Sequence, residues 1–149
     1  CCRRCTPMIV RPWVTGDTER IAMQPAQEYL TRIVDVRGDF TELSDKGLAW
    51  TAEHDGVVLA VAGVEPQWES RAIAFALIAE SAGQFFPAIH KAVRDFLIRT
   101  PFRRIEAAVD VGFKEGHRWI KMLGFELEGY MKAYRPDGAD MLLYARVKS

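Results

Sequence analysis

Three cysteines crowd the first five positions of this chain, and by type they are residues that could supply thiolates to a metal. The run Cys1-Cys2-x-x-Cys5 offers three thiolates, but a structural zinc site takes four ligands and the nearest histidine is His54. The run therefore reads as a disordered or vector-derived tail over residues 1–7, with no metal, ahead of a strand-like segment that begins at Met8. His117 is the one histidine with a chemical reading in the sequence: it is either a proton shuttle or a solvent-facing residue. Trp13, Trp50, Trp68 and Trp119, with Tyr29 and Phe75, read as core and rim rather than as a ligand cage.

The chain around these residues has 149 positions, 49% of them hydrophobic and 27% charged, with 20 Lys+Arg against 20 Asp+Glu. That content can bury a core, which excludes wholesale disorder, collagen-like repeats and a disulfide-stapled miniprotein. The length suits one domain, expected over residues 8–149. Balanced charge gives no general field for nucleic acid or an anionic membrane. The longest apolar runs, 57–64 and 72–79, fall far below the roughly 18 residues that cross a bilayer and read as buried strands. No signal peptide opens the chain, so an intracellular, cytoplasmic protein is expected.

The elements follow from periodicity and punctuation. Residues 9–14 read as an edge strand because Pro12 lacks an N–H. Asp17 or Thr18 can cap a helix over 19–23, and Pro25 opens another to about 36, with Tyr29, Leu30, Ile33 and Val34 on one face. The polar stretch 37–47 reads as a connection. Runs 48–53 and 57–64, joined by His54-Asp55-Gly56, form a hairpin. Residues 65–70 read as a loop. Segment 71–79 is apolar on both faces and is expected to be central and covered on both sides. A Gly-containing turn at 81–84 leads into an amphipathic helix over 85–99, which Thr100-Pro101 stops. Residues 104–111 read as a strand, and 114–123 as a helix with Gly124 as its C-cap. A second hairpin, 125–134 and 141–147, turns at Arg135-Pro136-Asp137-Gly138. A helix linking strands four and five makes those two parallel within an otherwise antiparallel sheet, giving a mixed α/β fold with flanking helices.

This order, together with the segment Lys114-Glu115-Gly116-His117-Arg118-Trp119-Ile120-Lys121-Met122-Leu123-Gly124-Phe125, resembles the GNAT superfamily of acyl-CoA-dependent N-acetyltransferases over nearly all of residues 8–147. A looser likeness extends to small acetyltransferase-like proteins of tailed bacteriophages. The resemblance implies that strands four and five splay, that acetyl-CoA is the cosubstrate, and that its pantetheine lies along Leu77, Ile78 and Ala79. A backbone N–H of those three would serve the oxyanion. The pyrophosphate would rest on the turn through Ala82, Gly83, Gln84 and Phe85, where free N–H groups at a helix start make an anion site. The usual loop of the family is Gln/Arg-x-x-Gly-x-Gly/Ala. Here Ser81-Ala82-Gly83-Gln84-Phe85-Phe86 has one Gly, no Arg and two bulky aromatics, with His90, Lys91 and Arg94 further along as supplementary positive charge or a solvated face.

The implied reaction is acetyl transfer to an amine, which needs a base, an oxyanion donor and an acid for the leaving thiolate. Glu80 is the first choice of base, ahead of Glu106 and Asp110. The family's acid Tyr corresponds to Ile120, which has no proton to give, so either a neighbour such as Tyr130 or Tyr134 substitutes, the thiolate is protonated by water, or the site is inactive. Glu65, Trp68 and Glu69, before strand four, suit a cationic amine. The acceptor is a small molecule or a protein, and a homodimer or virion assembly is a further partner. The alternative is a catalytically degenerate protein of this fold with a binding or structural role, as in a phage particle.

Overall fold

The computed structural model describes residues 7–22 and 39–148. The cysteine tail and the helix expected from Pro25 to about 36 lie outside the described residues. The chain divides into two compact units, Cys1–Gly63 with Phe75–Ile98, and Val64–Ala74 with Arg99–Ser149.

In the first unit, β1 (Ile9–Pro12) pairs antiparallel with β2 (Ala49–His54), which pairs antiparallel with β3 (Val57–Trp68) through the latter's first half. Pro12 is the last residue of its strand, where a missing N–H costs no ladder bond. Asp55 and Gly56 both hold positive φ, 48° and 77°, the pair of left-handed residues that a tight two-residue hairpin turn requires. Val58 to Val64 is buried throughout, as the unbroken apolar run predicts. Gly63 is dictated by space: a Cβ there would sit 2.4 Å from the Leu48 carbonyl oxygen and 2.9 Å from the Phe75 ring. Helix α3 (Phe86–Arg99) buries Ile89, Val93 and Leu97, a stripe at i, i+4 and i+8, and Phe96 meets Trp50 edge to face at 6.4 Å.

Two short helices complete this unit among the described residues, α1 (Asp17–Arg20) and α2 (Thr41–Asp45). Asp17 is not the cap expected of it. Gly16, at φ 96°, holds the N-cap position, and the Asp17 carboxylate is drawn inward. It accepts from the Val14 N–H at 2.8 Å, from Thr51 Oγ1 at 2.8 Å, and from both Arg11 terminal nitrogens at 2.8 and 2.9 Å. The stretch expected to be a bare connection contains α2, whose start is tied by the Thr41 N–H donating to Asp39 Oδ1.

In the second unit, β5 (Arg104–Asp110) pairs antiparallel with β7 (Met141–Val147), and β7 with β6 (Glu126–Met131). Helix α4 (Lys114–Met122) precedes β6; its C-cap is Leu123, one residue earlier than expected, and Gly124 follows at φ 90°, the left-handed residue that commonly succeeds a helix end. β4 (Arg71–Ile78) begins here and continues into the first unit. Its parallel ladder with β5 is three pairs long, Arg71 with Arg104, Ala72 with Ile105 and Ile73 with Glu106.

The seven strands form one sheet in the order β1-β2-β3-β4-β5-β7-β6, in which β1 with β2, β2 with β3, β5 with β7 and β7 with β6 are antiparallel and β4 with β5 is parallel, the mixed α/β architecture read from the sequence. Two expectations are corrected. The loop placed at 65–70 is mostly strand, because β3 runs to Trp68 and only Glu69 and Ser70 turn the chain; the polar residues mark where the strand emerges into solvent. β4 is not covered on both faces along its length: Ala72, Leu77 and Ile78 are buried, while Ile73 is exposed and Ala74, Phe75 and Ala76 are half-buried.

Candidate functional site

The last residues of β4 lead without a break into a tight 3₁₀ segment, Glu80–Phe85, and then into α3. The Ala79 N–H donates to the Leu59 carbonyl at 2.8 Å, so of the three backbone donors expected for an oxyanion this one is committed to the sheet. Successive N–H groups of a strand alternate in direction, which turns that of Ile78 away from Leu59. The Glu80 N–H donates to the Ala22 carbonyl at 2.9 Å, fixing where the strand ends, and the Glu80 side chain is exposed.

The 3₁₀ segment replaces the open turn expected at 81–84. Gly83 does not hold positive φ, and a Cβ there would meet nothing within 4 Å, so neither backbone conformation nor packing demands glycine at that position. Ala82 is buried, whereas Ser81, Gly83 and Gln84 face solvent. Phe85 is half-buried with its ring against His54, centroids 4.5 Å apart and tilted 38°. His90, Lys91 and Arg94 lie on α3; Lys91 and Arg94 are exposed and Arg94 Nε is 3.9 Å from Asp95.

Beside this segment an open cavity of about 960 Å3 is walled by Ser81, Gln84 and Phe85 on one side and by the β2–β3 hairpin, through His54, Asp55, Val57 and Leu59, on the other. His54 Nε2 is buried with no hydrogen-bond partner among the described residues. Nothing in the sequence singled out His54 for this place. The available signal was its position one residue before the Asp-Gly turn.

The other candidates belong to the second unit. Glu106 is buried and gripped by two guanidiniums: Arg71 donates to Oε2 through Nε at 2.8 Å and Nη2 at 2.5 Å, and Arg104 donates to Oε1 at 2.9 Å. The Arg71 hydrogen bonds, helped by those of Arg104, hold its carboxyl below the usual range against the opposing effect of burial. A carboxylate so engaged is a poor proton acceptor, which argues against Glu106 as the base. Arg71 also lies over the Trp68 ring at 4.6 Å, so that tryptophan has a structural partner. Asp110 accepts from the Gly112 N–H at 2.9 Å and from Arg135, and is likewise tied down.

Tyr130 is exposed, and its hydroxyl donates to Asp140 Oδ2 at 2.5 Å, a bond that pushes the phenol pKa up. That phenol closes the β6–β7 hairpin, an engagement that argues against it as the substitute acid. Tyr134 is exposed. Ile120 is buried, part of the apolar face of α4. His117 is half-buried and tied at both ring nitrogens: Nε2 is 3.1 Å from the Val111 carbonyl and Nδ1 2.9 Å from the Tyr144 hydroxyl. A carbonyl only accepts, so the neutral ring carries its proton on Nε2 and Nδ1 accepts from Tyr144. Tyr144 is 1% exposed, and burial raises its pKa.

Among the described residues no group of three or more His, Cys, Asp or Glu is arranged to hold a metal ion, and no helix is long and apolar enough to cross a membrane.

No protein-family model and no curated protein matches the chain. Solved structures do. Ard1 of Thermoplasma volcanium superposes with a TM-score of 0.71 at 15% identity, over 95% of this chain and 98% of that one. The ribosomal-protein-alanine N-acetyltransferase of Brucella melitensis gives 0.72 at 15%, over 94% and 99%. The yncA protein of Salmonella typhimurium, solved with its cofactor acetyl-CoA, gives 0.71 at 14%, over 94% and 93%. Likeness at this identity carries the fold, which spans nearly the whole of each chain: the protein has the mixed α/β fold of GNAT acetyltransferases.

Proposed function

We propose that the chain is an N-acetyltransferase that moves the acetyl group of acetyl-CoA to an amine. The observation that carries the reading is the run from the end of β4 through the 3₁₀ segment into α3, in a chain with the acetyltransferase fold. The residues available suit an acyl-CoA. Leu77, Ile78 and Ala79 offer an apolar extended backbone for the pantetheine. Ala82, Gly83, Gln84 and Phe85 bring the pyrophosphate to the start of a 14-residue helix, whose dipole favours anions; the Phe86 N–H there donates to the Gly83 carbonyl and Pro87 has none, so the dipole rather than free donors supports the placement. The empty space around Gly83 leaves its backbone open to close approach.

In the reaction the neutral amine nitrogen attacks the thioester carbonyl. A C–N bond forms, the C–S bond breaks, the amine proton passes to the base, and coenzyme A leaves as a thiolate that takes up a proton. Glu80 is the proposed base: it is exposed at the end of β4, whereas Glu106 and Asp110 are spent on arginines. Acetyl-CoA titrated calorimetrically into the protein is expected to bind saturably, and a panel of amines to consume it. Absence of saturable binding overturns the proposal.

A second reading, a binding or structural protein of the same fold, draws on Ile120. That position is buried and aliphatic, and the Tyr130 hydroxyl is occupied by Asp140. Saturable acetyl-CoA binding with no consumption across the amine panel favours it.

A further inference from the structure

β4 and β5 run parallel and share three rungs, and the first of them, Arg71 with Arg104, sets two arginines directly opposite each other. Like charges so placed repel. Side chains alternate along a strand, so Glu106, two residues beyond Arg104, stands on the same face as both. Its carboxylate takes one arginine on each oxygen: Arg71 Nε and Nη2 donate to Oε2 at 2.8 and 2.5 Å, and Arg104 Nε donates to Oε1 at 2.9 Å. The terminal nitrogens of Arg104 go on to Glu128 at 3.0 and 2.5 Å, so Arg104 keeps a carboxylate without Glu106. Arg71 has Glu106 as its ion-pair partner among the described residues, and otherwise lies over the Trp68 ring.

This grip lies where the two strands stop pairing. The ladder ends at Ile73 with Glu106, and the run assigned to the pantetheine, Leu77 to Ala79, begins four residues further along the chain. Parallel pairing is slightly weaker per residue than antiparallel, so a ladder of three rungs has little else to fix its register. A buried ion pair returns little net stability once its desolvation is counted, and its best-attested use is to hold one register against others. Glu106, at 8% exposure, is such a group.

We propose that Glu106 is a positioning residue: by bridging Arg71 and Arg104 it fixes the β4–β5 register at the last rung and so sets the course on which β4 continues to the acetyl-CoA backbone site. It acts through the strand and does not touch the cofactor. The role in cofactor binding rests on the acetyltransferase reading, whereas the bridging of a like-charged rung does not. Glu106 thus leaves the list of candidate bases with a different task in the same reaction.

The test follows three variants of the full chain by acetyl-CoA calorimetry and by hydrogen exchange of the amides of residues 71–73 and 104–106. Glu106→Gln removes the charge at nearly unchanged size and is expected to speed exchange of these amides, and to weaken acetyl-CoA, by about 10-fold each, within the range for a coupled residue that touches no ligand. Arg71→Gln added to it removes the like-charged rung and is expected to bring the affinity back to within about 3-fold of the parent. Asp17→Asn, which loses a buried carboxylate in the other unit, is expected to melt lower and to keep the parent's affinity, a contrast that general destabilisation would not give. Unchanged affinity in Glu106→Gln, an equal loss in Asp17→Asn, or no recovery in the double variant each overturns the proposal. Should Glu106→Gln not fold, the wild-type chain decides: saturating acetyl-CoA is expected to slow exchange of the same amides, and exchange that the cofactor leaves unaltered overturns the coupling. No saturable acetyl-CoA binding by the wild-type chain removes the acetyltransferase reading, whereas saturable binding that Glu106→Gln leaves unchanged removes the clamp alone.

Discussion

A carboxylate's worth in this chain is decided by what donates to it. Asp17 is 1% exposed and receives hydrogen bonds from a guanidinium, a hydroxyl and a backbone N–H. Asp17→Ala removes all of these and leaves Arg11 and Thr51 facing a void, so a loss of about 3 kcal/mol is expected, at the low end for a broken buried pair because Arg11 is partly exposed. Thermal unfolding should record it as a fall of several degrees. Glu80 stands at the opposite extreme, exposed at a strand end. Glu80→Gln should leave the melting temperature unchanged and lower acetyl-transfer turnover by roughly 10²- to 10⁴-fold, the usual span for losing a general base. Equal turnover in the two proteins removes Glu80 from the mechanism. The inward role of Asp17 was not legible in the sequence, because a capping aspartate and a buried one look alike until Thr51, 34 positions on, is brought beside it.

At the scale of elements, the hairpins and the crossover helix could be read because Asp-Gly turns, alternation and helical spacing are local signals. The outer half of β3 could not: Glu65, Pro66 and Gln67 are turn-like by type, and only pairing with a neighbouring strand makes them extended. The Arg71–Glu106 clamp was equally hidden, since it depends on the parallel register that sets Ile73 opposite Glu106. Glycines separate on the same ground. Gly83→Ala should fold as stably as the parent, since its φ is ordinary and its Cβ position empty, so any loss of acetyl-CoA affinity in that variant reports close approach of the ligand. Gly63→Ala should destabilise markedly, because its Cβ would collide with the Leu48 carbonyl. Paired melting curves of the two variants check the contrast.

For the whole molecule, the pH dependence of stability follows from carboxylates in both units. Burial pushes the Asp17 carboxyl up, but the hydrogen bonds from Arg11, Val14 and Thr51 outweigh it and leave the folded-state pKa below the ordinary value; Glu106 is lowered chiefly by Arg71. A group whose pKa is depressed on folding binds fewer protons in the folded state, so its contribution is fully present above the unfolded value, near 4, and is lost as pH falls through the folded one. Stability should therefore be flat from about pH 7 to pH 5 with respect to these groups, and should fall steeply below about pH 4. Glu128, Asp137 and Asp140 are lowered in the same direction, but water screens them, so the steep limb belongs to Asp17 and Glu106. Urea unfolding at a series of pH values reads this directly. Asp17→Asn and Glu106→Gln should each lower stability at pH 7 and flatten the acid limb, because the variant has no proton to gain there. An acid limb as steep in both variants as in the parent would assign the acid sensitivity to other carboxylates.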